Sequence, residues 1–408
     1  MNILITGWYG TETQGDKAIL SGILSLLKKN IDNVSIYIHS TNIFYTEQTL
    51  KEIGHEDSVI VSSKYLSNKN NFSKFSYVFF GGGPVMDVIN ITEIYKFFKY
   101  TKKNNNKFIL FGVGYGPFRR RLTKFFANMI IKGSDFIITR DSQTHSIVQK
   151  LNSKSLTIGD PASLHFVIGN KGFINSIENF SDLRKDIVRP DGRKVRFVKI
   201  NTRLKSKELP QENRKAISIS LRELPKAYSK LKIEDHNKLL EKFTSEIIDL
   251  TIKLLKNDYE VNFIAMNTFY VGDDDRDYIA KFKEKIKHPN VNFNLKTNTL
   301  AEIIEEFKKS HIFIGMRYHS VLFSTSLGIP TIGIDYTQGG GKVSSYLRDL
   351  KYDQSISYFK LDADNLWNKV ISIEKKYTEN QNTLNSNIEK INSNMVEKYQ
   401  KFIVDQIR

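Results

Sequence analysis

At 408 residues, with 40% hydrophobic and 26% charged residues, the chain has the size of two globular domains, each able to bury substantial apolar surface. It contains no cysteine, which excludes disulfides, thiolate zinc sites and a cysteine nucleophile. Lys and Arg number 61 against 44 Asp and Glu, and the formal charge of +17 favours an anionic partner unless it only reflects a composition rich in Lys, Asn and Ile.

The opening MNILITGWYG has no basic leader and reads as a buried first strand entering a Gly-rich turn. No apolar run approaches the ~18 residues of a membrane span, so a cytoplasmic protein is expected. Strand-like runs follow at 34–39, 58–62, 77–80, 108–112 and 136–139, with helical periodicity at 17–29, 91–103, 122–132 and 142–151. That alternation predicts a largely parallel sheet covered on both faces, a Rossmann-like domain over 1–168. Periodicity fades over 169–215, which is basic and broken by Pro190, Asp191 and Gly192. It reads as an inter-domain segment, either a basic strip against an anionic surface or a solvated excursion. Strands are predicted again at 216–221, 261–265, 291–295, 312–314 and 331–334, with helices at 236–255, 276–286, 300–308 and 320–327. This is a second doubly wound domain, over 216–380, and the fold class is α/β with a ligand cleft at the carboxyl ends of the strands. In 381–408, Ile388, Ile391, Met395, Tyr399, Phe402 and Ile403 fall at helical spacing and mark an amphipathic helix, read as packed on a domain in preference to lying on a membrane.

Several segments carry chemistry-bearing residues. In GWYGTETQGD the glycines and the helix that follows suit an anion, although Asp16 also reads as that helix's N-cap. FFGGGPVMD places Gly81, Gly82, Gly83 and Asp87 at a strand end, and FGVGYGP repeats the pattern one strand later; both are either close approaches of backbone or plain turns. Arg140 in ITRDS ends a strand and can fork onto a carboxylate or phosphate, or pair with Asp141 while Ser142 caps. Arg222 ends the first strand of the second half. IFIGMRYHSVLFSTSLGIPTIGIDY sets Arg317 and His319 in a strand-to-helix turn, where one can hold an anion and the other move a proton. Lys342 follows QGGG just before another helix.

Taken in order, these segments resemble the polysaccharide pyruvyltransferase family. Gly10, Gly15 and Asp16 match its GxxNxGD opening, with Thr13 in place of the usual asparagine; Gly81–Gly83 match its GGG loop, Arg140–Ser142 its Arg-Asp-Ser turn, and Gly315–His319 its GMRxH. The TQGGG stretch after Tyr336 displaces the family lysine, which Lys342 would then represent. The resemblance implies a GT-B-like pair of domains and transfer of pyruvate from phosphoenolpyruvate onto a sugar as a ketal, with phosphoenolpyruvate as co-substrate and no cofactor or metal.

On that reading Arg140, Arg317 and Lys342 bind phosphoenolpyruvate, and His319 with Arg317 performs catalysis. Asp16, Asp87 and Arg222 contact the acceptor, Arg222 alternatively the phosphate. The acceptor would be nucleotide-linked or carried on a polyprenyl diphosphate, the latter suiting a basic protein at the inner membrane face. A GT-B-like glycosyltransferase using a nucleotide sugar is the alternative, since fold does not fix function. A nucleic-acid-binding protein would also exploit the charge, but no nucleic-acid motif is present, so no nucleic-acid partner is expected.

Overall fold

Parallel strands buried on both faces read as unbroken apolar runs, and β1 (Asn2–Thr6) is one, its Ile3, Leu4 and Ile5 fully buried. The computed structural model describes residues 1–85, 91–118, 120–169, 187–188, 194–195, 215–229, 231–269, 272–337 and 341–407. They form two units, one of Met1–Thr11, Gly15–Phe173 and Asn387–Arg408, the other of Glu12–Gln14 and Ile174–Ser386.

In the first unit β1 is followed by α1 (Gln14–Asn30), β2 (Ser35–Ser40), α2 (Ile43–Glu52), β3 (Val59–Ser62), α3 (Ser63–Leu66), β4 (Tyr77–Gly81) and β5 (Pro84–Val85). Then come α4 (Ile91–Lys103), β6 (Lys107–Tyr115), α5 (Arg121–Gly133), β7 (Phe136–Thr139), α6 (Ser142–Val148), β8 (Ser155–Thr157) and α7 (Ala162–Ile168). The sheet runs β3-β2-β1-β4-β6-β7-β8 with every ladder parallel, and β5 pairs with the end of β6. α1 begins three residues before the predicted start. Asp16 therefore lies in its first turn, where the helix dipole favours a carboxylate, and is not its N-cap.

Of the expected inter-domain stretch 169–215, the described residues are Gly169, Lys215 and a short antiparallel ladder of β9 (Ile187–Val188) and β10 (Lys194–Val195). The second unit continues with β11 (Ala216–Ser220), α8 (Lys226–Ser229), α9 (Ile233–Lys256), β12 (Glu260–Ile264), α10 (Asp275–Lys285), β13 (Val291–Asn294) and α11 (Leu300–Lys308). It ends with β14 (Ile312–Gly315), α12 (Tyr318–Ser326), β15 (Thr331–Asp335), α13 (Lys342–Asp349), β16 (Ser355–Ser357), α14 (Ala363–Lys375) and the start of α15 (Tyr377–Gln406). Its parallel sheet runs β13-β12-β11-β14-β15-β16, the doubly wound order of a Rossmann domain.

The closing amphipathic stretch packs on the first unit. Tyr399 stacks on Phe111 at 5.0 Å and donates from its hydroxyl to Gly159 O at 2.7 Å, while Phe402 meets Phe111 and Phe136 edge-on. Two glycines show why the Gly-rich loops carry no side chains. Gly82 has φ +70°, and a Cβ there would lie 2.3 Å from Ile19 Cγ2 of α1. Gly112 has φ +68°, and its Cβ would lie 2.1 Å from Pro161 Cδ, where the register of β6 against β7 shifts. Gly112→Ala combines a left-handed backbone with a backbone-adjacent clash. It should destabilise the protein by about 2–4 kcal/mol, measured as a lower denaturant midpoint; an unchanged midpoint refutes the close approach.

Candidate functional site

The second unit gathers its polar side chains where a doubly wound sheet reverses direction. Ligands of such sheets bind beyond the carboxyl ends of the strands flanking that point, here β11 and β14. Arg222 follows β11, Arg317 follows β14, the loop with Asp273 and Asp275 follows β12, and Tyr336 follows β15 directly.

Asp275 organises this end. Its side chain is fully buried and accepts from Met266 N at 3.1 Å, Asn267 N at 2.9 Å and Arg317 Nε at 2.7 Å. Arg317 adds bonds from Nη2 to the carbonyls of Gly272 at 3.0 Å and Asp273 at 2.8 Å. Arg222 reaches the same loop, donating from Nη2 to Asp273 Oδ2 at 2.9 Å. Its Nε is buried with no hydrogen-bond partner among the described residues, as are Ser220 Oγ at the end of β11 and Thr268 Oγ1 on the loop after β12. Unmade bonds on buried donors are costly and are normally satisfied, so the buried Arg222 Nε, next to the Tyr336 ring, keeps a donor for an acceptor atom.

Tyr336 is the residue on which the cations converge. It is buried, with the Arg222 guanidinium 5.7 Å from its ring centroid and the Tyr228 ring edge-on at 5.3 Å. Burial alone would raise its pKa, but Lys342 first, then Arg222 and Arg317, outweigh it and bring the phenol down to about 8. Asp335 positions Tyr336 and Lys342: its carboxylate accepts from Thr337 N at 2.8 Å, from Gly341 N and Ser344 N at 2.9 Å each, and from Ser344 Oγ at 2.7 Å. Lys342 thereby opens α13, half-buried, in the helix's first position. His319 is the second residue of α12, half-buried, its ring edge-on to Tyr318 at 5.1 Å.

The first unit presents the opposite polarity. Tyr9, after β1, is buried and donates from its hydroxyl to Gly81 O at 2.8 Å; burial, then Asp16 and Asp160, hold its pKa well above the ordinary value. Asp16 lies half-buried beside it and lines a small concavity with Trp8, Tyr9, Thr11, Thr49 and Lys17, whose charge is met by Glu52. Arg140 is buried between Asp141, at 3.4 Å from Nε, and Asp160, at 3.5 Å from Nη1, with its guanidinium against Gly114. Asp141 rather than Ser142 caps α6, accepting from Thr144 N at 2.6 Å. Asp87 lies outside the described residues.

Of the residues singled out in the sequence, then, Arg222, Arg317 and Lys342 act electrostatically on one phenol, His319 follows Arg317 by two residues at the start of α12, and Arg140 and Asp16 belong to the first unit. Tyr336, Asp335 and Asp275 were not legible as site residues. Tyr336 stands at the end of a quoted strand, but nothing local marks a phenol for titration, and Asp275 in GDDDRD reads as helix capping. Among the described residues no group of three or more His, Asp or Glu is placed to hold a metal.

A family model described as polysaccharide pyruvyl transferase matches residues 15–338. No curated protein matches the chain. Among solved structures, a UDP-GlcNAc 2-epimerase from Neisseria meningitidis bound to UDP-GlcNAc gives a TM-score of 0.59 at 14% identity, covering 99% of both chains. A putative UDP-N-acetylglucosamine 2-epimerase from Listeria monocytogenes gives 0.59 at 9% identity, covering 94% of this chain and 90% of the other. A lipopolysaccharide outer core galactosyltransferase gives 0.50 at 12% identity, covering 99% of both. At these identities the likeness is one of fold: two Rossmann-like domains of the GT-B-like class.

Two measurements test the geometry. Asp275→Ala strips the buried counter-charge from Arg317 and should cost about 3–5 kcal/mol of stability, whereas Asp273→Ala, whose side chain is 61% exposed, should cost under about 1 kcal/mol; equal losses refute the organising role of Asp275. Phenolate absorbance should show one tyrosine ionising near pH 8 that is missing in Tyr336→Phe, well below the ~10 of an ordinary phenol.

Proposed function

Since the chain belongs to the polysaccharide pyruvyl transferase family, we propose that it transfers the pyruvyl unit of phosphoenolpyruvate onto two hydroxyls of a sugar, forming a ketal and releasing phosphate. A proton adds to the enol methylene, which becomes the methyl group. One sugar oxygen bonds to the central carbon, the bond to phosphate breaks, and the second sugar oxygen closes the ketal. Of the two hydroxyl protons, one balances that taken up by the methylene and the other leaves with phosphate or solvent. The electrons stay paired throughout, so the scheme asks for cations and an acid-base group and for no redox partner.

The observation that carries this reading is the cluster of Arg222, Arg317 and Lys342 on Tyr336, with Arg222 Nε buried and unpaired. A small trianion with a carboxylate and a phosphate needs several fixed donors in a water-poor setting, where each is worth more than in bulk solvent. Arg222 and Lys342 supply donors to the phosphate or carboxylate, and Arg317, tied to Asp275, adds its charge from a fixed position. His319 is the group assigned to proton transfer, imidazole being the side chain whose unperturbed pKa, about 6.5, lies nearest neutrality. Tyr336, neutral below about pH 8, donates a hydrogen bond to the bound oxyanion.

Asp16, beside Trp8 and Tyr9, suits the hydroxyls of the acceptor. Arg140 is assigned a scaffold role, since its charge is already set against Asp141 and Asp160. The acceptor is a sugar of a glycan precursor, nucleotide-linked or polyprenyl-diphosphate-linked. Among the described residues no helix is long and apolar enough to cross a membrane.

Incubation with phosphoenolpyruvate and candidate acceptors of both kinds should release phosphate and add a pyruvyl mass to the sugar. Consumption of a nucleotide sugar with phosphoenolpyruvate untouched would establish glycosyl transfer instead and sink the proposal. His319→Ala should lower kcat by about a hundredfold or more with a modest change in KM, and Arg222→Met should act mainly on KM for phosphoenolpyruvate. The phenolate of Tyr336 would neutralise the cations that the donor needs. Affinity for phosphoenolpyruvate should therefore be full below about pH 8 and weaken above it, and titration calorimetry across that range should find Tyr336→Phe without this dependence.

A further inference from the structure

Helix α5 buries one face and leaves its other face uncovered in a way that the transfer chemistry does not use. Thr123, Ala127, Ile130 and Ile131 are buried against the first unit. On the other side Leu122 is 63% exposed, Phe125 56% and Met129 38%, and their spacing of three and four residues places them in a single stripe along the helix. Exposed apolar side chains scattered singly need no explanation; three large ones aligned on a helix whose buried face is already satisfied do.

The charges beside the stripe identify its occupant. Arg120, Arg121, Lys124 and Lys132 are exposed along α5, and the helix carries no acidic residue. Its neighbour α4, joined to it by the Tyr95 and Phe126 rings at 5.0 Å, exposes Lys96 and Lys99 and carries one acid, Glu93, half-buried. We propose that the exposed face of α5 docks the protein on an anionic bilayer surface, with Leu122, Phe125 and Met129 entering the boundary between headgroups and acyl chains. An apolar stripe flanked by Lys and Arg supplies the two signals, insertion and electrostatic attraction, that together give stable interfacial binding where either alone is marginal. A second copy of the chain meets this face poorly, because a two-fold contact would set the same basic residues against each other. A nucleic acid would satisfy the cations and leave the stripe in water.

Flotation of the full chain with liposomes tests this. The wild-type protein should float with vesicles of phosphatidylcholine and phosphatidylglycerol, and its binding to phosphatidylcholine alone should be at least ~tenfold weaker. Leu122→Glu with Phe125→Glu should weaken anionic-vesicle binding ~tenfold or more, and Arg121→Glu with Lys124→Glu should do likewise and flatten its salt dependence. All four side chains are exposed, so thermal unfolding should stay at the wild-type midpoint in both variants. The proposal is overturned if the wild-type protein stays off anionic vesicles, if the Leu122/Phe125 variant floats as the wild type does, or if light scattering finds a dimer that this variant splits, which would make the occupant a second copy. None of these readouts involves phosphoenolpyruvate, so failure of the docking face and failure of the donor assignment are separable.

Discussion

A carboxylate with no access to water must have its charge met on the spot, and the second unit is arranged around that requirement at Asp275. Two backbone N–H groups and Arg317 Nε meet it. Because Arg317 stands after β14 and Asp275 after β12, this one group fixes the loops of two strands that are not neighbours in the sheet. Arg222, from the strand between them, then closes on the same loop through Asp273. Three strand ends are thus locked before any ligand arrives. Preorganised charge of this kind costs little reorganisation when an anion binds, which is the main way a protein site outperforms water.

The two units share a topology and differ in what they place at its functional edge. Each sets a buried tyrosine just after a parallel strand, Tyr9 after β1 at the reversal of sheet order and Tyr336 after β15, one strand beyond it. Burial, with Asp16 and Asp160 adding to it, holds Tyr9 neutral, while Lys342, Arg222 and Arg317 draw Tyr336 toward ionisation against its burial. The same fold in the epimerase and galactosyltransferase structures says nothing about that difference. What distinguishes this chain is a handful of side chains at strand ends, where substitution leaves the sheet's core untouched.

Most of the architecture was legible because it follows from periodicity. The apolar runs of β1, β4, β6 and β14 and the amphipathic repeats of α4, α9 and α11 declare themselves within a few residues of their true bounds. α2 was missed because IFYTEQTLKE mixes β-branched and aromatic residues with buried polar ones, among them Thr46, Gln48 and Thr49, that blur its stripe. The site was legible where residue type signals function by itself, as with Arg222, Arg317, His319 and Lys342. Tyr336 and Asp275 stayed hidden because their significance lies in neighbours far along the chain: a phenol becomes acidic only when three cations are folded around it. The glycine loops likewise depend on such neighbours, which at Gly82 and Gly112 are Ile19 and Pro161 of the protein itself.

The return of Asn387–Arg408 to the first unit separates order of synthesis from order of completion. The sheet of the first unit, translated before the second unit, keeps Phe111 and Phe136 without the Tyr399 and Phe402 that cover them until residues 387–408 are made. The second unit, whose sequence ends at Ser386, is fully translated before that. The first unit must therefore wait, with part of its core open, for a stretch of helix made after the second unit. That interval of exposed aromatic surface is when a nascent chain of this design is most exposed to aggregation and most in need of a chaperone.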